Sequence, residues 1–201
     1  MAGTTQSGDS EIRYGNRMEG NVVAVTGAGS GNGRASAMRL GREGGSLFIS
    51  DISGERLEDT LSELAEAGIE AAGGVFDASN IADAPRFIDA TLERYGRLDV
   101  LVNNAALYGS LHFTPFQKLD EKEWDATMNV NVKGIWQCCK AVLPTMKKQQ
   151  SGSIINISSL AAIYGMPNSL HYTTSKAAVI GATRGLAREL GRYNIRVNAV
   201  A

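Results

Sequence analysis

Val22-Val-Ala-Val-Thr26 runs without a break into Gly27-Ala-Gly-Ser-Gly-Asn-Gly33, and the reading of this stretch decides the fold. Five β-branched or small apolar residues have the character of a buried strand, and a helical pattern begins directly after the last glycine, over residues 34–43. Glycines let the backbone turn sharply and come close to a phosphate without side-chain obstruction. The free N–H groups and the dipole of the following helix then offset its negative charge. A plain tight turn would use the same glycines. The strand before and the helix after point instead to a nucleotide loop, with Gly27, Ser30, Gly31, Asn32 and Gly33 as its contacts.

Outward from that loop the chain alternates. Short apolar runs at 22–26, 47–50, 100–102 and 154–157, with weaker ones at 71–76 and 195–200, are separated by helical patterns at 34–43, 55–67, 81–95, 121–148 and 171–191. Strands apolar on both faces and joined by helices predict an α/β fold, a doubly wound parallel sheet of Rossmann type. Residues 1–18 are polar and aperiodic and read as a flexible tail before a single domain over 19–201. The last predicted strand stops at the final residue, so the sheet is expected to be incomplete at its C-terminal edge.

In such sheets ligands bind outside the carboxyl ends of the strands. The second strand ends at Asp51-Ile52, about twenty residues past the glycine loop, where a carboxylate accepts hydrogen bonds from the adenosine ribose and repels a 2′-phosphate. No Lys or Arg replaces Ser30 or directly follows Asp51, so the cofactor is expected to be NAD. The alternative for Asp51 is a helix cap. Asp77-Ala78 and Asn103-Asn-Ala-Ala106 stand at two further strand ends. Asp77 is expected to face the adenine and Asn104 to brace the strands beside the cofactor; local turns would use the same residue types.

Tyr172 and Lys176 lie one helical turn apart and share a face. An unperturbed phenol has a pKa of about 10, so a neighbouring ammonium is needed for proton exchange near neutrality. The same stripe continues through Val179, Thr183, Leu186 and Leu190, a core-directed face on which a lysine needs a partner or a task. Ser158 and Ser159 end the fifth strand, where one of them can orient a substrate oxygen. Asn131 sits on an apolar stripe with Met128, Ile135 and Cys139 and must find hydrogen bonds, to a water or a backbone group. Leu107, Tyr108, Leu160, Ile163, Met166 and His171 are the candidates for an apolar substrate pocket.

Twenty Lys and Arg against 21 Asp and Glu leave a net charge of -1, which disfavours nucleic acid and anionic membrane surfaces as partners. With no leader-like start and no apolar run long enough to span a bilayer, a soluble cytoplasmic protein is expected. The two cysteines, Cys138 and Cys139, are adjacent in a helical pattern and read as reduced packing residues; no metal site is expected.

Taken together, Thr-Gly-x-x-x-Gly-x-Gly at 26–33, Asp51, Asp77, Asn103-Asn104-Ala105, Asn131, Ser159 and Tyr-x-x-x-Lys at 172–176 resemble the short-chain dehydrogenase/reductase family from about residue 20 onward. That resemblance implies an NAD(H)-dependent interconversion of a secondary alcohol and a ketone. Tyr172 would be the general acid/base. Lys176 would lower its pKa and bond the nicotinamide ribose, Ser159 would polarise the carbonyl, and Asn131 would hold the water that links Lys176 to solvent. The cofactor set is then Gly27, Ser30, Gly31, Asn32, Gly33, Asp51, Ile52, Asp77, Ala78, Asn104, Ala105, Ala106, Tyr172 and Lys176. Asn32 and Ala106 depart from the usual Ile and Gly. Relatives continue into a Pro-Gly turn, a substrate-covering loop, a helix and a last strand, so the chain is expected to be C-terminally truncated. A homodimer or homotetramer through the 121–148 and 171–191 helices is implied. The alternatives are a non-catalytic NAD-binding module and, fitting the glycine spacing less well, a nucleotide-sugar epimerase.

Overall fold

The computed structural model describes residues 15–201; the expected tail lies, through residue 14, outside them. In chain order the elements are β1 (Val22–Thr26), α1 (Gly31–Arg42), β2 (Ser46–Asp51), α2 (Gly54–Glu66), β3 (Ala71–Val75), α3 (Asp83–Tyr95) and β4 (Val100–Asn103). These are followed by α4 (Glu121–Met128), a π-helical turn (Asn129–Gly134), α5 (Ile135–Gln149), β5 (Gly152–Ile157), α6 (Ala161–Tyr164), α7 (Leu170–Leu190) and β6 (Ile195–Val200).

The strands form one parallel sheet in the order β3-β2-β1-β4-β5-β6, the doubly wound arrangement that opens a crevice where the order reverses, between β1 and β4. Alternation within β1 explains why helices cover both faces. Val22 and Ala24 join Phe48, Phe87, Leu101, Val142, Ile154 and Val179 in one core, beneath α3, α5 and α7. Val23 and Val25 join Leu47, Ile49, Leu57 and Val102 in the other, beneath α1 and α2. Each fully buried side chain of this size contributes about 1.5–3 kcal/mol. On the second face the cover thins beyond β4, where Ile155 and Ile157 are only partly buried. β6 is the outer strand, paired on one side with β5.

The expected strands are present with their ends shifted by at most two residues, two helical expectations are corrected and one short helix is added. The first helix starts at Gly31, because the last three residues of the glycine loop are themselves its first turn. The single helix expected over 121–148 is interrupted by the wide turn at Asn129–Gly134. There Gly134 passes so close to the chain that a Cβ would stand 2.6 Å from the Ala78 carbonyl oxygen. The short helix α6 has no apolar period and is not legible in the sequence. Just before β1, the Met18 N–H donates to the Glu43 carbonyl, and Arg17 and Arg39 both bond the Glu43 carboxylate, holding it down to about 2.

Cys138 and Cys139 are buried free thiols, pushed up to about 12 by that burial. Among the described residues no helix is long and apolar enough to cross a membrane, and no group of three or more His, Cys, Asp or Glu side chains is placed to hold a metal.

Candidate active site

A cleft of about 1080 Å³ follows the carboxyl ends of the strands and is lined by residues from every region singled out in the sequence. At its centre β1 and β4 are tied together. The Thr26 hydroxyl accepts the N–H groups of Asn104 and Ala105, each at 3.0 Å, and the Asn104 amide donates to the carbonyls of Thr26 (3.0 Å) and Gly27 (2.9 Å). Asn104 thus joins the end of β4 to the end of β1 and the first glycine of the loop. Gly27 has a φ of +64°, and a Cβ there would lie 2.7 Å from the Ala105 Cα. A Cβ on Gly33 would stand 2.1 Å from the Gly27 carbonyl oxygen, so the loop closes against its own helix only with glycine. Ser30, Gly31 and Asn32 are exposed on the cleft at the start of α1, and the Ser30 side chain does not cap the helix. The backbone N–H groups of the first turn thus face the cleft, a surface suited to a pyrophosphate.

Asp51 is 6% exposed at the end of β2. Burial pushes its carboxyl up, but the Ser53 N–H, the Arg56 guanidinium and the Gly29 N–H outweigh this and hold it below its ordinary value. Arg56 was missed. Nothing basic directly follows Asp51 in the sequence, yet α2 turns back and brings this guanidinium to 2.8 Å from the carboxylate, on the cleft wall. The available signal is Ser53 as a helix cap: a cap places the side chain three residues later back over the strand end. Ile52, Asp77, Ala78, Ala105 and Ala106 also line the cleft. Asp77 accepts the Ser79 N–H in a local turn and lines the cleft.

At the other end α7 and β5 bring Tyr172, Lys176 and Ser159 to one wall. The two serines separate cleanly. Ser158 is buried and donates to the Lys176 carbonyl at 2.8 Å, fastening α7 to the sheet, whereas the Ser159 hydroxyl accepts the Ala161 N–H and stands on the cleft wall beside Tyr172. Burial raises the Tyr172 pKa above its ordinary 10, the Ser159 hydroxyl pulls it down, and Tyr108 adds to the rise. Lys176 is 2% exposed, donates to the Ile157 carbonyl at 2.8 Å and is lowered to about 8 by burial. Its ammonium lies 5.7 Å from the centre of the Tyr172 ring. The expected lowering of the phenol by the ammonium is therefore not realised in this arrangement, because Lys176 is held by a backbone carbonyl and is itself poorly solvated.

Asn131 is fully buried at the π turn. Its side chain accepts the Leu107 N–H (2.7 Å) and donates to the Leu107 carbonyl (3.2 Å) and the Ser175 hydroxyl (3.1 Å), so a backbone group is among the partners it takes. Of the apolar pocket candidates, Leu107, Tyr108 and Leu160 line the cleft; Ile163 and Met166 do not. His171 is fully buried, since the residue before Tyr172 on a helix points about 100° away from it.

The family model described as short chain dehydrogenase matches residues 21–201. A 3-oxoacyl-(acyl-carrier-protein) reductase of Thermotoga maritima is 40% identical over 185 residues, covering 92% of this chain and 74% of that protein. Levodione reductase of Leifsonia aquatica is 38% identical over 187 residues, 92% of this chain and 69% of that one. The crystal structure of an NAD+-bound xylitol dehydrogenase matches with a TM-score of 0.88 at 36% identity, covering 92% of this chain and 70% of that chain.

Proposed function

The chain belongs to the short-chain dehydrogenase/reductase family, and from that premise we propose that it is an NAD-dependent oxidoreductase interconverting a secondary alcohol and a ketone, with Tyr172 as general acid and base. The observation that carries this reading is a single cleft with a glycine loop and Asp51 at one end and the Ser159, Tyr172 and Lys176 side chains at the other. A nicotinamide bound there supplies hydride donor and acceptor chemistry. The backbone of Gly27, Ser30, Gly31, Asn32 and Gly33 holds the pyrophosphate, Asp51 and Ile52 the adenosine ribose, and Asp77 and Ala78 the adenine. Asn104, Ala105 and Ala106 support the middle of the dinucleotide, and Lys176 bonds the second ribose. Ser159 donates to the substrate carbonyl oxygen while Tyr172 delivers or removes its proton. Asn131 acts by holding Leu107 and Ser175 in place. The apolar wall of Leu107, Tyr108 and Leu160 suits a substrate with hydrocarbon substituents.

NAD is preferred over NADP in this reading because the Asp51 carboxylate is held ionised where a 2′-phosphate would arrive, and the NAD+-bound neighbour supports it. Arg56 makes the preference reversible. Asp51→Ser removes the repelling charge and frees the guanidinium, so NADH is expected to weaken about tenfold and kcat/KM with NADPH to rise about tenfold or more, the scale of one charge-assisted hydrogen bond. Steady-state kinetics with both cofactors measures the ratio. A ratio unmoved by the substitution would remove Asp51 from the ribose site, and adding Arg56→Ala should abolish the gain.

Assembly through α4, α5 and α7 is the matching proposal for quaternary structure. Ala177, Gly181, Ala182 and Gly185 make a flat exposed strip on α7, and Trp136 of α5 is half exposed beside a shallow groove with Met128 and Val132. Sedimentation is expected to give the mass of two or four chains; the mass of one chain would count against the interface.

A further inference from the structure

We propose that Glu123 is a positioning residue for the substrate side of this site: one oxygen of its carboxylate pins the loop over residues 107–114 to the helix that carries Tyr172. The inference rests on the reading of Tyr172 as the proton-transfer group. Glu123 touches none of the reacting groups, and nothing in its spacing to the sequence motifs marks it out.

The loop leaves β4 at the cleft and carries Tyr108, whose ring centre lies 4.7 Å from that of Tyr172. Phe113 packs edge-on against Tyr108 from farther along the same loop. One backbone bond lies within it, from the Leu111 N–H to the Tyr108 carbonyl, and its far end is fixed by the Thr114 N–H donating to the Asn168 carbonyl just before α7. Two side chains from the α4 region hold it on either side of Tyr108. Asn131 bonds both backbone groups of Leu107, and the Glu123 carboxylate accepts the His112 N–H at 2.6 Å. A carboxylate acceptor makes a bond roughly twice as strong as a neutral one, and the Glu123 side chain is only 16% exposed, while His112 on the loop faces solvent.

The same carboxylate oxygen also faces α7. It lies 3.8 Å from Nε2 of His171, whose side chain is 0% exposed and whose two ring nitrogens have no hydrogen-bond partner among the described residues. At 3.8 Å this approach is beyond hydrogen-bond length, so the carboxylate touches α7 by packing and by facing the imidazole edge while its hydrogen bond holds the loop. His112 Nδ1 stands 3.3 Å from the oxygen on the solvent side. Three elements, the loop, α4 and the first turn of α7, thus meet at one atom, one residue away from Tyr172.

The test compares Glu123→Ala, Glu123→Leu and Glu123→Gln in the full chain, with acetophenone as the probe ketone. In the Ala variant the KM for acetophenone is expected to rise about tenfold while kcat and the KM for NADH stay within about twofold, the pattern of lost substrate positioning. Glutamine keeps a carbonyl that can accept the His112 N–H and is expected to remain near wild type. Leucine keeps most of the volume without an acceptor and gives the same reading if the Ala variant does not fold. Hydrogen exchange is the second readout: amides over 108–114 should exchange about tenfold faster in the Ala or Leu variant, with those of the glycine loop unchanged. Unchanged exchange, an unchanged KM, or a Gln variant as impaired as Ala would overturn the pin. Tyr172→Phe run alongside separates the two readings, since full turnover in that variant sinks the acid–base role while the exchange result still decides whether Glu123 holds the loop.

Discussion

Replacing Tyr172 with phenylalanine is expected to lower kcat for ketone reduction by about 10²–10⁴-fold, the usual worth of a positioned proton donor, with NADH binding nearly unchanged. The ring remains and with it the contact with Tyr108; only the hydroxyl is lost, and with it the influence of the neighbouring Ser159. Ser159 keeps a partner, since its hydroxyl accepts the Ala161 N–H at 3.1 Å, so the fold should be indifferent to the change. Burial holds the Tyr172 phenol above 10, which keeps it protonated at neutral pH and ready to donate in the reducing direction. Alcohol oxidation needs the phenolate and should therefore strengthen as pH rises. Single-turnover NADH oxidation at saturating ketone measures the step, and fluorescence titration of NADH measures binding. Turnover that survives the substitution would assign proton transfer to another group.

Lys176→Met should remove activity on a similar scale and yet stabilise the fold. The ammonium is 2% exposed and its pKa is lowered to about 8 by burial, from an ordinary value of 10.5. For a lysine this direction means that the folded state disfavours the charged form. Below pH 8 both folded and unfolded chains hold the proton, and the penalty on the folded state is complete. Between about 8 and 10.5 the unfolded chain binds more protons than the folded one, so stability rises with pH, and above 10.5 the contribution vanishes. Methionine fills the same space without a charge but forfeits the bond to the Ile157 carbonyl. The net gain expected at pH 7 is on the order of 1–3 kcal/mol, or several degrees in Tm, shrinking toward zero near pH 10.5. Thermal unfolding of both proteins at pH 7 and pH 10 checks it. A lower Tm for the variant at pH 7 would show that the hydrogen bond outweighs the desolvation, and that Lys176 is a structural group as much as a catalytic one.

Much of this molecule is legible in its linear order because the relevant signals are local. A parallel strand buried on both faces must be apolar throughout, a glycine loop must sit between strand and helix, and Tyr172 and Lys176 must be one helical turn apart to share a face. These constraints act over a few residues, so the α/β class, the strand positions and the motif residues at the strand ends follow from them, whereas Arg56 on the cleft wall and the exclusion of Ile163 and Met166 from it do not. The two adjacent serines mark the boundary of that method. Both stand at the same strand end, and family likeness singled out Ser159; the structure supplies the physical reason, since Ser158 is spent on the backbone of α7.

What the sequence determined by itself is therefore the fold class and the strand ends that frame the cleft; what only the tertiary structure decided is which further side chains reach it and the partner each polar group takes there. Arg56 reaches Asp51 because a helix folds back over a strand end, Asn131 reaches Leu107 because a π turn rotates it inward, and Glu123 meets both His112 and His171 because three separate elements converge. A buried hydrogen-bonding group must be satisfied by whatever the packed chain brings within about 3 Å. That choice depends on distances between elements, which no local period encodes.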